Sequence, residues 1–230
     1  MSNLDDYVSL ICGLANSERL FLAKLPPMSR LRLEQRLKVL DEHDGRTLSK
    51  IESILDWRLQ SNESSDQYIN KQARKVYEQL QSDTLRSILR DKMELRTCIA
   101  ALRRKALGQG APDHTNWGFG RWVRHINHYW NEASFNLVTV FPWLPKAQQL
   151  IEQRDPEALE RFVIERAFRQ LQRFSGQHYF DFEAVVIYVL KWNIIDRSAR
   201  YNVEGAKRRF AKLVHEGLGE FVNPEFEDKL

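Results

Sequence analysis

From Ala184 to Leu190 seven apolar residues follow one another, with Asp181 and Glu183 before them and Lys191, Asp196 and Arg197 after. A helix that is apolar on nearly every side has to be buried by several neighbours at once. The rest of the chain must therefore supply the helices that surround this one. Composition agrees: Leu, Arg, Glu, Gln and Lys are abundant, while glycine (10) and proline (7) are scarce in 230 residues, which favours helix over a turn-rich β fold. With 43% hydrophobic residues there is enough apolar surface for a real core. The expected fold class is all-α.

Periodicity places the other helices. Pro26 and Pro27 stop what precedes them, Ser29 is suited to cap, and Leu33, Leu37 and Leu40 recur on one helical face. The stretch "DEHDGRT" reads as a break, after which Leu48, Ile51, Ile54, Leu55 and Leu59 resume the pattern to complete a helical hairpin. From Ser65 to Leu107 one stripe runs through Ile69, Val76, Leu80, Ile88, Leu95, Ile99, Leu102 and Ala106. As a single helix it would span about 60 Å, too long for a compact domain, so a break is expected near Ser82. "GQGAPDH" is the best linker, dividing the chain into an N-terminal helical lobe (1–109) and a C-terminal one (115–230).

In the second lobe Trp117, Phe119, Trp122, Ile126 and Tyr129 or Trp130 are expected along one helical side, and Pro142 and Pro145 precede a short helix. Asp155, Pro156 and Glu157 mark the clearest helix start, because the first turn favours a capping carboxylate, a residue without an N–H and negative charge. Asn202 is expected to cap a last helix with Phe210, Leu213 and Val214 inward, followed by an acidic tail.

The chemistry-bearing signals are few. His125, His128 and Glu132 could share a helix face as metal ligands, but the histidines lie among aromatic residues and packing is the simpler reading. "GQGAPDH" lacks the Lys-Ser/Thr of a phosphate loop, and "WGFGRW" lacks the third glycine of a dinucleotide fingerprint. Cys12 and Cys98 form no metal-binding or disulfide pattern. No catalytic, cofactor or metal site is assigned, and a non-enzyme is expected. The net charge of +4 sits within a dense mixture of both signs, so nucleic acid is not the expected partner. It remains the alternative if "RRKA" (103–106) and "KRRFAK" (207–212) converge with exposed Trp117, Trp122 and Trp130. The acidic start is the reverse of a secretory signal and no apolar run reaches membrane-span length, so a cytoplasmic protein is expected.

Three stretches together carry a resemblance. "DKMELRTCIAALRRKALG" (91–108) resembles a helix of the C-type subunit of V-type ATPases, known in eukaryotes as the d-type. The stretch from "DPEALERF" at 155 to "AKRRF" at 210 is similar to the C-terminal part of the same protein, with Glu183, Tyr188, Lys191, Ile194, Arg197 and Gly205 in matching order, and Arg96, Arg103 and Lys105 match on the other helix. "LPPMSRLRLEQRLKVLDEHD" followed by "IESILDWR" looks like the start of a short bacterial family encoded with V-type ATPase genes. The resemblance implies a two-lobed helical protein without a catalytic site. It would couple the central stalk, through D- and F-type subunits, to the membrane rotor ring, and lie peripheral to the inner membrane as part of that complex. This chain is shorter than the usual C-type protein, which makes an assembly factor or regulator of the same complex the alternative. The partner-contact candidates so implied are Arg96, Arg103, Lys105, Glu183, Tyr188, Lys191, Arg197 and Gly205. Glu183 and Lys191 are each expected to have a partner, Glu183 in Arg96 or Arg103.

Overall fold

The computed structural model describes residues 4–15, 25–56 and 66–218, with the backbone alone over 201–218. Among the described residues there are helices and no strand: α1 (Leu4–Cys12), α2 (Arg30–Leu37), α3 (Glu42–Leu55), α4 (Asp66–Gln79), α5 (Asp83–Ala106), α6 (Val123–His128), α7 (Leu144–Glu152), α8 (Pro156–Ser175) and α9 (Phe182–Leu218).

The helix starts follow local chemistry. Side chains of Ser29, Ser82 and Asp155 accept hydrogen bonds from the amides of Arg32, Leu85 and Ala158, and each such cap contributes about 1 kcal/mol. Ser82 thus makes the break expected between α4 and α5. Asp41 caps in the same way through the Asp44 amide, so "DEHDGRT" begins α3 instead of interrupting the pattern. The carboxylate of Asp181 accepts from the Ala184 amide at the start of α9. That helix then continues unbroken to Leu218, and Asn202, the expected cap of a separate helix, lies inside it. The expected inward positions Phe210, Leu213 and Val214 and the basic run 207–212 have side chains outside the described residues.

Two long helices organise the core. α5 packs against α3, α4, α7 and α8, while α9 packs against α1, α3 and α8. Val185, Val186, Ile187, Val189 and Leu190 are all buried, as their run of apolar character requires. Leu33 does not complete a hairpin core with α3; it meets Met28 and the fully buried Trp192 of α9 in a small separate cluster. The main apolar cluster runs from Leu10 to Ile195 and crosses the boundary expected at 109–115.

That boundary is tied down. Gly108, at φ +72, ends α5 with its amide bonded to the Lys105 carbonyl and the Gln109 amide to that of Arg104, the left-handed termination that glycine makes easy. The Trp130 indole donates to Gln109 O and the Asn127 amide to Pro112 O. The aromatic segment beyond is not one helix: a 3-10 turn (Thr115–Trp117) and the short α6 flank Gly118 and Gly120. Trp117, Phe119, Trp130, Phe135 and Trp143 are nonetheless buried, so most of this aromatic surface belongs to the core.

Candidate functional site

Lys92, Arg96 and Arg103 are spaced four and seven residues apart on α5, which places them along one side of the helix. They line one edge of a groove of about 550 Å³. Its walls are apolar, with Ile54 and Leu55 from α3, Leu95 and Ile99 from α5, Val163 and Ile164 from α8, and Ile194 from α9. Arg104 lies at one end, and Asp66, Glu160 and Arg197 enter from α4, α8 and α9. Four of the residues carrying the resemblance, Arg96, Arg103, Ile194 and Arg197, therefore converge from two segments nearly a hundred residues apart.

Both acids in the groove are already engaged. Asp66 pairs with Arg96 at 3.1 Å, and Glu160 pairs with Arg197 at 2.5 Å. The surplus charge is carried by Lys92, by the exposed Arg103 and by Arg104, whose guanidinium lies 5.7 Å over the Trp117 ring. Lys92 has no hydrogen bond or ion pair among the described residues. Burial, reinforced by the like charge of Arg197, pushes its pKa down to about 7, because a desolvated ammonium is disfavoured. Two paired acids, the exposed Arg103 and a lysine that gains from an anion beside it, set between apolar walls, suit the groove to an anionic amphipathic group.

The other candidates lie elsewhere. Lys105 turns to the aromatic segment, donating to Glu132 O at 2.6 Å with its ammonium 5.3 Å from the Phe135 ring. Lys191 is buried with its ammonium 5.5 Å over the Phe168 ring, and it has further interactions, so the expectation of a partner holds for it. The pairing expected of Glu183 does not form: Arg96 is bound to Asp66, and half-buried Glu183 lies beside His178 and Asp181 at the start of α9. The reason is geometric, since Glu183 occupies the first turn of a helix whose groove-facing residues begin at Asn193. Tyr188 buries its hydroxyl without a well-formed hydrogen bond. Desolvation raises its pKa to about 12, only partly offset by the approaching Ala15 backbone and by Arg36. Gly205 falls within α9, in the part where only the backbone is described.

His178 and Asp181 form no vacant ligand set with Glu183, because His178 already uses both ring nitrogens, one toward Asp181 at 2.6 Å and the other toward Thr84 at 3.0 Å. Asp41 and Asp44 are likewise committed, to the α3 cap and to the Tyr7 hydroxyl. His125 packs tilted and His128 edge-on against Tyr129, and His125 also meets the Phe135 carbonyl. This is the aromatic packing that their setting suggested.

Sequence reasoning missed Lys92 as a groove residue. Its signal was available: a lysine at four- and eleven-residue spacing from two arginines, beside the apolar stripe of Leu95, Ile99 and Leu102. It also missed two buried polar joints. Glu94 holds the "GFGR" loop to α5, and Glu52 joins Arg30 of α2 to Asn193 of α9. Both pairings are distant in sequence and have no periodic signature.

No protein-family model matches this chain, nor does any curated protein or solved structure.

Proposed function

We propose that the protein is a non-catalytic subunit of a bacterial V-type ATPase, coupling the central stalk to the membrane rotor ring by protein–protein contacts. The observation that carries this reading is the convergence of Arg96, Arg103 and Arg197 on one groove. These residues belong to two of the three stretches that carry the resemblance, and a groove with apolar walls and an exposed Arg103, unpaired among the described residues, suits adhesion to a partner. An all-helical fold among the described residues fits the same reading. Among those residues no helix is long and apolar enough to cross a membrane, so contact with the rotor ring would be made at its cytoplasmic surface.

The nucleic-acid alternative keeps only one of its three rings, because Trp117 and Trp130 are buried with their indoles hydrogen-bonded within the fold, while half-buried Trp122 packs edge-on with His125 and Phe141. The test is a tagged pull-down from gently solubilised native membranes, with co-purifying proteins quantified against the ATPase catalytic subunits. One copy per intact complex supports the coupling role. Recovery with partial complexes alone makes it an assembly factor, and recovery without any ATPase subunit refutes the proposal.

A further inference from the structure

We infer that the groove between α5, α8 and α9 seats an acidic amphipathic helix of a partner protein. The inference rests on the reading that this chain works by docking proteins, and it names the chemistry of the partner segment.

Charge complementarity is the first argument. The groove holds five cations, Lys92, Arg96, Arg103, Arg104 and Arg197, against the carboxylates of Asp66 and Glu160. With those two acids paired internally, an occupant finds Lys92 at one level and the exposed Arg103 at the other, with Arg104 held beside it over the Trp117 ring. A basic segment would set like charge against Arg103, and a neutral one would leave the half-buried Lys92 to shed its proton.

Dimensions are the second. Eleven residues separate Lys92 from Arg103, about 16 Å along the α5 axis. A docked helix spans that distance in three turns, with two acidic positions about eleven residues apart and apolar residues between them facing Ile99 and Ile164. A fatty acid has one charged end and a long apolar remainder, so it would match one level of cations and leave the other unmet. A nucleic-acid strand would meet the cations and waste the apolar walls.

Docking should also be linked to protons. The groove that holds Lys92 is also lined by the charged groups Arg96 on its own helix, Asp66 from α4, Glu160 from α8 and Arg197 from α9, of which Arg197 bears on the Lys92 ammonium, while α3 contributes Ile54 and Leu55. An arriving carboxylate favours the ammonium that this setting otherwise disfavours. Binding therefore takes up a proton above pH 7, near which Lys92 titrates in the free protein.

The experiment uses the purified full chain and a fluorescein-labelled synthetic amphipathic helix, with leucines on one face and two glutamates about eleven residues apart, compared with the same peptide carrying glutamines. Anisotropy titrations should show the glutamate peptide binding at least about tenfold tighter. Arg103→Glu, at an exposed position, should weaken it by a similar factor. Affinity should fall as pH rises from 7 to 9, and Lys92→Met should remove that dependence. Equal binding of the two peptides, or indifference to Arg103→Glu, overturns the inference. So does displacement of the peptide by palmitate or by a single-stranded oligonucleotide, each of which assigns the groove to a different ligand. Failure here with co-purification of the intact ATPase leaves the coupling role standing on another surface. Success here without ATPase subunits in the pull-down leaves the docking groove and removes that identity.

Discussion

The carboxylate of Glu94 holds Arg121 in two ways at once. Its Oε1 accepts from the Arg121 backbone amide at 3.0 Å and from Nε at 3.1 Å, while Oε2 accepts from Nη2 at 3.2 Å. Glu94 is buried although the Arg121 side chain is largely exposed, so the backbone contact matters as much as the ion pair. The loop approaches closely enough that a Cβ on Gly120 would overlap the Glu94 side chain, and the φ of Gly120 is +99. Thr97 completes the grip by bonding both the amide and the carbonyl of Phe119.

Glu94→Ala should therefore destabilise the protein by about 2–3 kcal/mol, the cost of leaving the part-buried loop amide without its acceptor and of emptying the buried space of the Glu94 side chain. Arg121→Ala should cost about 1–2 kcal/mol, less than the Glu94 change because the exposed guanidinium is solvated and the Arg121 amide still serves the buried Glu94 carboxylate that loses its charge partner. Gly120→Ala should resemble the Glu94 change, because both the space and the backbone conformation exclude a side chain. Urea-denaturation midpoints of the three variants check the order. Equal losses for Glu94→Ala and Arg121→Ala would mean that the ion pair, and not the loop amide, is what Glu94 supplies.

What was legible in the sequence had a local cause. Ser29 and Asp155, read as caps, and Ser82, read as a break, all start helices because their side chains reach amides three residues on, and such signals need no knowledge of the fold. The burial of Val185 to Leu190 followed from the absence of any polar face. Conversely, Asn202 looked like a start signal yet lies within α9, and a capping residue inside a helix cannot be told from a cap by its neighbours alone. "WGFGRW" was legible only as a failed nucleotide motif. Its glycines make sense once Glu94 and Thr97, more than twenty residues earlier, press against that backbone. In the groove, Arg96, Arg103 and Arg197 were singled out on resemblance, but that they share one cavity depends on helix packing, which spacing along the chain does not encode.

Lys92 provides a pH test of the groove itself. Its folded pKa of about 7 lies below the ordinary lysine value of 10.5, so between those values the unfolded chain binds more protons than the folded one. Stability from this group therefore rises with pH across that window and is least below pH 7. Lys92→Met should stabilise the isolated protein more at pH 6 than at pH 10. Thermal melts of both proteins at the two pH values give the comparison, and a pH-independent difference would mean that Lys92 keeps a normal pKa.

Tyr188 gives the opposite dependence. A pKa raised to about 12 from the ordinary 10 means that the unfolded chain loses the phenolic proton first, so this group's contribution to stability falls as pH rises from 10 to 12. Because the hydroxyl is buried without a well-formed hydrogen bond, Tyr188→Phe should leave stability at neutral pH unchanged or slightly raised and should reduce the alkaline loss. A drop of more than about 1 kcal/mol at pH 7 would show that the hydroxyl has a partner worth a normal hydrogen bond, and Tyr188 would then be more than a packing residue.

The joint between α2, α3 and α9 rests on buried Glu52. Arg30 donates to both its oxygens, at 2.8 and 3.1 Å, and Asn193 donates to Oε1 at 2.8 Å. Arg30 also lies 5.7 Å over the Trp192 ring. The bond to Glu52 is the main cause that holds the Arg30 guanidinium still more firmly protonated than usual. Arg30→Met should cost about 2–3 kcal/mol, below the full penalty for breaking a buried pair because Arg30 is partly solvated. Adding Glu52→Leu should recover part of that loss, since the stranded carboxylate is the expensive remainder. A double-mutant cycle by urea denaturation measures the coupling. Additive losses would mean that α2 is held to α9 by Leu33 and Trp192 packing alone, and that the ionic joint only fixes its orientation.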